Sequence, residues 1–172
     1  MPSSGGNSKQ VAERATPAVW SPDSRRLLYA GDISSDRTFR IDWFTVPLEG
    51  GAGVRTGASE SFDTQKLESY LPGVWTAEGI TFQAALGETI NVWRTGISSD
   101  FKIKGPPRRL TFGSSMDIQP AVSGNRIIFT EMSENADIWT IPIDTNRGKL
   151  LGEPQQITKD LAQDLNCSIS AD

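Results

Sequence analysis

One pattern is repeated in Pro17-Ala18-Val19-Trp20-Ser21-Pro22-Asp23 and Pro72-Gly73-Val74-Trp75-Thr76-Ala77-Glu78, with shorter copies at Pro120-Ala121-Val122-Ser123-Gly124 and Cys167-Ser168-Ile169-Ser170-Ala171-Asp172. The hydroxyl residues of the four copies, Ser21, Thr76, Ser123 and Ser170, are 55, 47 and 47 positions apart. This spacing is typical of arrays of four-stranded units, because one such unit buries its apolar faces only by stacking on copies of itself. The chain is therefore predicted to be a repeat protein.

Each copy continues with short strands in the same order. Second strands are predicted at 26–30, 80–84 and 126–130, and third strands at 43–48, 92–97 and 138–143. Within the third strands, Phe44, Trp93 and Trp139 form an aromatic column. Weaker fourth strands are predicted at 54–56, 109–111 and 156–158. Short β-branched and aromatic runs separated by Gly, Pro, Asp and Ser indicate an all-β fold.

These motifs resemble the TolB-like, WD-repeat-like β-propeller blades of bacteria, which open with Pro-x-Trp-Ser-Pro-Asp-Gly and carry Asp-Ile-Trp on the third strand. Trp20-Ser21-Pro22-Asp23 and Asp137-Ile138-Trp139 match these patterns. The chain departs from them where Ser24 replaces the glycine and Val122 replaces the tryptophan. In the first two copies, Pro also lies one residue further from Trp than in the family pattern.

The resemblance implies a partial β-propeller of about three four-stranded antiparallel blades. We expect a blade-end strand at 8–13, blades at 15–57, 70–112 and 118–159, and the first strand of a next blade at 165–170. Since propellers need roughly four to eight blades to close, we expect the ring to be completed by the remaining blades of a longer chain or by self-association.

Composition argues against several functions. The 172 residues carry a net charge of −4, one cysteine and no histidine. The chain therefore has no residue for histidine-dependent nucleophile activation or for histidine metal ligation. The chain has no nucleophile-elbow, phosphate-loop or Cys-x-x-Cys motif. We predict no catalytic residue, no metal and no cofactor, hence no enzyme. The acidic balance argues against nucleic-acid binding by this segment, and no run has the roughly 20 apolar residues needed to span a membrane.

The charges are predicted to differ between the two ends of the blades. Loops after second and fourth strands emerge at one end, because strand direction alternates. The acidic rim predicted at that end consists of Asp32, Asp36, Glu88, Asp117, Glu131 and Glu134. It would attract a basic partner or a divalent cation, although solvated loop charges explain the same pattern.

Aromatic residues and one insertion carry further expectations. Trp20, Trp75, Trp93 and Trp139 recur at equivalent positions and are expected to pack between blades, with Trp43 on the other, more exposed face. The insertion at 58–69 is expected to form one helical turn, with Phe62 and Leu67 covering the rim or contacting a partner.

The resemblance implies a non-catalytic binding or sensor module that presents a loop-bearing face to a protein, peptide or small ligand. One possible context is the C-terminal sensor part of a bacterial serine/threonine kinase or winged-helix regulator. One alternative is the substrate-gating propeller of a serine peptidase whose catalytic domain is absent, and another is a periplasmic TolB-like scaffold. The family favours an extracytoplasmic location.

Overall fold

The computed structural model describes residues 10–11, 17–34, 40–133, 136–159, 164–165 and 167–170. The described residues are mostly β, in antiparallel sheets of which none closes on itself, so the all-β prediction is confirmed. The chain divides into two compact units, Met1–Met132 and Ser133–Asp172. In the part of the chain that the structure describes, no helix has the length and apolarity to cross a membrane.

The first sheet is a four-stranded antiparallel meander. Its strands are β1 (Ala18–Trp20), β2 (Arg26–Asp32), β3 (Ile41–Pro47) and β4 (Val54–Arg55), which neighbour one another in chain order. A short helix, α1 (Ala58–Asp63), follows β4 and occupies the predicted insertion. The helical turn expected there is confirmed.

The second sheet begins with the same meander and is then extended. Its strands are β5 (Glu68–Thr76), β6 (Gly79–Leu86), β7 (Thr89–Ile97), β8 (Ile103–Arg109), β9 (Met116–Ser123) and β10 (Arg126–Met132). Strands β5 to β8 pair antiparallel in chain order. Strand β9 joins the sheet through one parallel bridge, from its Met116 to Ile90 on β7, and pairs antiparallel with β10.

The first two copies of the sequence pattern have equivalent strand pairing. Trp20 pairs with Leu27 in the first sheet, as Trp75 pairs with Ile80 in the second. Two positions further along the second strands, the cross-strand partners are both aromatic. They are Tyr29 with Phe44, and Phe82 with Trp93. Because a slip of one residue would turn every side chain to the opposite face, the two copies present equivalent positions to the same face of their sheets.

The core of the first unit lies between the two sheets, with α1 packed into it. Trp43 is fully buried and meets the rings of Phe62 and Phe82 edge-on, each at 5.1 Å between centroids. Phe62 also stacks on Phe82 at 4.8 Å. The expectation that Trp43 would be exposed is wrong, because β3 turns this residue toward the second sheet. Phe62 and Leu67 are buried and so do not offer a partner a free surface.

The other tryptophans divide into two pairs. Trp75 and Trp93 are buried, as expected of packing residues. Trp20 and Trp139 are 55% and 58% exposed. The equivalence of the four positions in sequence therefore does not extend to their burial.

The second unit contains a pair of nested two-stranded ribbons. Strand β11 (Trp139–Thr140) pairs with β14 (Gln155–Gln156), and β12 (Ile143–Asp144) pairs with β13 (Lys149–Leu150). The third strand predicted at 138–143 is thus divided around Pro142, which has no N–H for a sheet ladder. Residues 8–9, 12–13 and 166 of the two predicted terminal strands lie outside the described residues, and 10–11, 165 and 167–170 lie outside any described strand.

Candidate functional site

A cleft of about 290 Å³ opens at the turn-bearing end of the first unit. It lies between the β1–β2 turn of the first sheet and the β5–β6 and β7–β8 turns of the second. Its lining consists of Ser21, Pro22, Asp23, Arg26, Trp75, Thr76, Ala77, Ile97 and Phe101. Loops on a rigid scaffold are frequent binding sites. This end of the sheets is opposite to the one where the acidic rim was predicted.

The β1–β2 turn is held by its serine and aspartate. The Ser21 hydroxyl donates to Asp23 Oδ1 at 2.6 Å and accepts from the backbone N–H of Arg26 at 2.9 Å. The backbone N–H of Arg25 donates to the same Asp23 oxygen at 3.1 Å. The Ser21 bond, followed by the Arg25 amide, lowers the pKa of Asp23, so this carboxylate is charged at neutral pH. Ser24, which lies in the same turn, has a left-handed φ of 58°.

The β7–β8 turn uses the same device with an aromatic residue at the left-handed position. Ser98 Oγ donates to Asp100 Oδ1 at 2.5 Å and accepts from the Lys102 backbone N–H at 3.0 Å. Phe101 has a φ of 63°, which is rare for a bulky side chain. Such conformations persist only where surrounding contacts hold them, and they concentrate at functional sites. The sequence did not indicate the left-handed conformation of Phe101, because the β7–β8 turn falls outside the repeated pattern.

Phe101 covers a guanidinium group. The guanidinium carbon of Arg26 lies 4.1 Å from the centroid of the Phe101 ring, within cation–π range. The indole of Trp75 meets the same ring edge-on at 6.4 Å. Arg26, Phe101 and Trp75 therefore form a continuous set of contacts that joins the two sheets at the cleft.

Arg26 has no acidic partner among the described residues. Its Nη2 donates to Thr45 Oγ1 at 3.2 Å and to the Thr45 carbonyl oxygen at 3.4 Å. Its Nε is buried without a hydrogen-bond partner in the described part of the chain. The nearby Glu78 is engaged with Arg94 at 3.0 Å. The cleft thus contains a half-buried cation whose charge is not neutralised by a described carboxylate.

The β5–β6 turn forms one wall of the cleft and packs closely against β7. Gly79 has a φ of 128°, and a Cβ there would lie 2.3 Å from the Thr95 carbonyl oxygen. Glycine is therefore required for this turn to close against β7. The close approach places Thr76 and Ala77 beside the cleft.

The predicted acidic rim is partly brought together. Asp117 and Glu131 are cross-strand partners on β9 and β10, and Glu88 lies in the β6–β7 turn two residues before the bridge to Met116. Asp117 is buried and accepts from Asn91 Nδ2 at 3.4 Å, whereas Glu131 is exposed and accepts from Ser115 Oγ at 3.0 Å.

Of the other three rim residues, the structure describes one. Asp32 is exposed at the end of β2 and accepts from the Ser34 backbone N–H at 2.8 Å. Asp36 and Glu134 lie outside the described residues. Among the residues that are described, no group of three or more acidic, histidine or cysteine side chains is placed to hold a metal ion.

Sequence reasoning missed a carboxylate that accepts several hydrogen bonds in the first unit. Asp42, fully buried on β3, accepts from the backbone N–H groups of Trp43 at 2.6 Å and Ala58 at 2.8 Å. It also accepts from Arg55 Nε and from the Ser59 hydroxyl at 3.2 Å. Bonding to Asp42 raises the pKa of Arg55. Since Gly57 at the helix N-cap has no side chain, Asp42 supplies the acceptor for the first turn of α1.

The interaction between Asp42 and Arg55 recurs in the other repeats. Asn91 Oδ1 accepts from Arg109 Nη2 at 2.5 Å, and Asp137 Oδ2 accepts from Gln156 Nε2 at 2.7 Å. In every case, the acceptor lies two residues before the aromatic column, and the donor lies opposite that column on the fourth strand. We call this interaction the strand clasp. Its repetition could be found from the sequence only after the register is known.

Comparison with protein-family models, with curated proteins and with solved structures gave no match for this chain.

Proposed function

We propose that the chain is a non-catalytic binding module built from β-propeller blades of the TolB-like, WD-repeat-like type. Two observations support the blade assignment: the shared register of the first two repeats and the strand clasp found in three. The third blade expected at 118–159 stays a prediction of the resemblance.

The observation that carries the binding function is the cleft between the turns of two neighbouring repeats. It combines apolar walls, a few polar groups and an unneutralised cation, which is the usual composition of a ligand site. The Ser21 hydroxyl donates to Asp23 within its own turn, and no histidine is available to activate it as a nucleophile. These groups favour recognition over bond-breaking chemistry. We propose that the ligand is a protein segment or peptide that enters between the turns.

An NMR titration of the full chain with a pool of random hexapeptides tests this function. We expect amide shifts confined to residues 21–26, 76–79 and 97–102. Phe101→Ala should abolish them. The matched control, Phe112→Ala, removes an equally large ring that is 78% exposed and lies outside the cleft, so it should leave them unchanged. Shifts restricted to the acidic end, or no shifts, would overturn the proposal.

The peptidase-gate and periplasmic-scaffold alternatives stay predictions of the family resemblance. Both would use a loop-bearing face for binding, so the titration addresses the step that all three roles share.

A further inference from the structure

We propose that the cleft recognises a single carboxylate of a peptide through Arg26, an inference that rests on the proposed binding function. The carboxylate can come from a peptide C-terminus or from an Asp or Glu side chain. In both cases its chemistry is that of a planar anion matched to the guanidinium fork.

The first argument is the unused donor capacity of Arg26. A guanidinium carries five N–H donors, and in the described residues only those on Nη2 have acceptors, both of them on Thr45. An arginine in a partly apolar cleft gains most from an acceptor that is itself charged. The buried Nε is out of reach of a ligand, but Nη1 has no described acceptor, and a carboxylate there would supply both an acceptor and a counter-charge.

The second argument is the aromatic setting of the charge. The Phe101 ring lies over the guanidinium, and Trp75 and Ile97 line the same cleft. These side chains exclude water from one side of Arg26, which strengthens an ion pair formed there. They also offer an apolar surface to the group adjoining the carboxylate. The expected ligand is therefore a residue with a carboxylate next to an aliphatic or aromatic group.

The third argument is the limit on ligand size and charge. At about 290 Å³, the cleft has room for one or two residues. Asp23 lines it as well, and its lowered pKa keeps it negative. A second negative charge on the ligand would meet this carboxylate. We therefore expect one carboxylate to be preferred over a phosphate dianion or a run of acidic residues.

Four matched dipeptides and inorganic phosphate test the inference by NMR titration of the full chain. N-acetyl-Leu-Leu carries a C-terminal carboxylate, and N-acetyl-Leu-Glu-amide carries one on its side chain. N-acetyl-Leu-Leu-amide and N-acetyl-Leu-Gln-amide are their neutral counterparts. We expect at least one acid to bind at least about tenfold more tightly than its neutral counterpart, with phosphate weaker than that acid.

Two variants assign the effect to a residue. Arg26→Gln should remove the preference for the acid, whereas Arg25→Gln should retain it, because Arg25 is an exposed neighbour that does not line the cleft. The comparison of acid with amide in the unaltered chain needs neither variant to fold. Equal binding of acids and amides at the cleft would overturn the carboxylate inference and leave the binding function standing. Tighter binding of phosphate would also overturn the inference, and binding of the hexapeptide pool elsewhere would overturn the function itself.

Discussion

Replacing Asp42 with alanine should lower the free energy of unfolding of the first unit by about 2–5 kcal/mol, because buried backbone N–H groups lose their acceptor and each such loss costs about 1–3 kcal/mol. The carboxylate is fully buried and accepts from the Trp43 and Ala58 backbone N–H groups, from Ser59 and from Arg55. After its removal, the buried amide of Ala58 has no described acceptor. The clasp on Arg55 and the start of α1 should therefore be lost together.

Two further variants separate charge from shape. Asp42→Asn keeps one oxygen acceptor but gives up the charged bond to Arg55, so we expect a loss of about 1.5–3 kcal/mol. Asp63→Ala is the control. It removes a carboxylate at the end of the same helix whose ion pair with Arg40 is exposed, and such pairs contribute about 0–1 kcal/mol. Urea denaturation followed by tryptophan fluorescence measures all three. A loss below about 1 kcal/mol for Asp42→Ala would refute the role of Asp42.

Three other predictions concern the turns and the core. Ser24→Gly should raise the free energy of unfolding by about 0.5–1 kcal/mol, because Ser24 has a φ of 58° that glycine adopts freely; a loss of stability in thermal melts would contradict this. The pKa values of Asp23 and Asp100 are lowered mainly by hydrogen bonds from the Ser21 and Ser98 hydroxyl groups. The contribution of these bonds to stability is therefore complete above the ordinary pKa of 3.8 and is lost as pH falls through the lowered values. NMR spectra should show both turns loosening only below about pH 4, and pH-independent spectra would contradict the assignment. Phe62→Ala should cost about 3–5 kcal/mol in urea denaturation, and an effect as small as that of a surface substitution would place Phe62 outside the core.

The sequence predicted the strands better than the faces they bury. The repeated pattern around Trp20 and Trp75 located the first two meanders because alternation and turn residues are local properties. Burial depends on which sheet lies opposite. Trp43 enters the core because the second sheet and α1 lie against it, and no local pattern specifies that arrangement.

The candidate site was less accessible to sequence reasoning. The turn at Ser21 was predicted from its residues. Arg26, by contrast, has the sequence context of an ordinary polar residue at the start of a strand, because its aromatic partner Phe101 is 75 positions away along the chain. Asp42 was missed for the same reason, since its partners in α1 and β4 are brought to it by the fold. The acidic residues were selected by counting charges, a method that gives their end of the sheet but not their contacts.

Intermolecular NOEs between a bound N-acetyl-Leu-Leu or N-acetyl-Leu-Glu-amide peptide and the full chain test the central claim most directly. If the cleft between the repeats is the binding site, the aliphatic protons of the peptide should show NOEs to the rings of Phe101 and Trp75, which line it. NOEs confined to residues around Asp32, Glu88 or Glu131 would instead place binding at the acidic end and contradict the account.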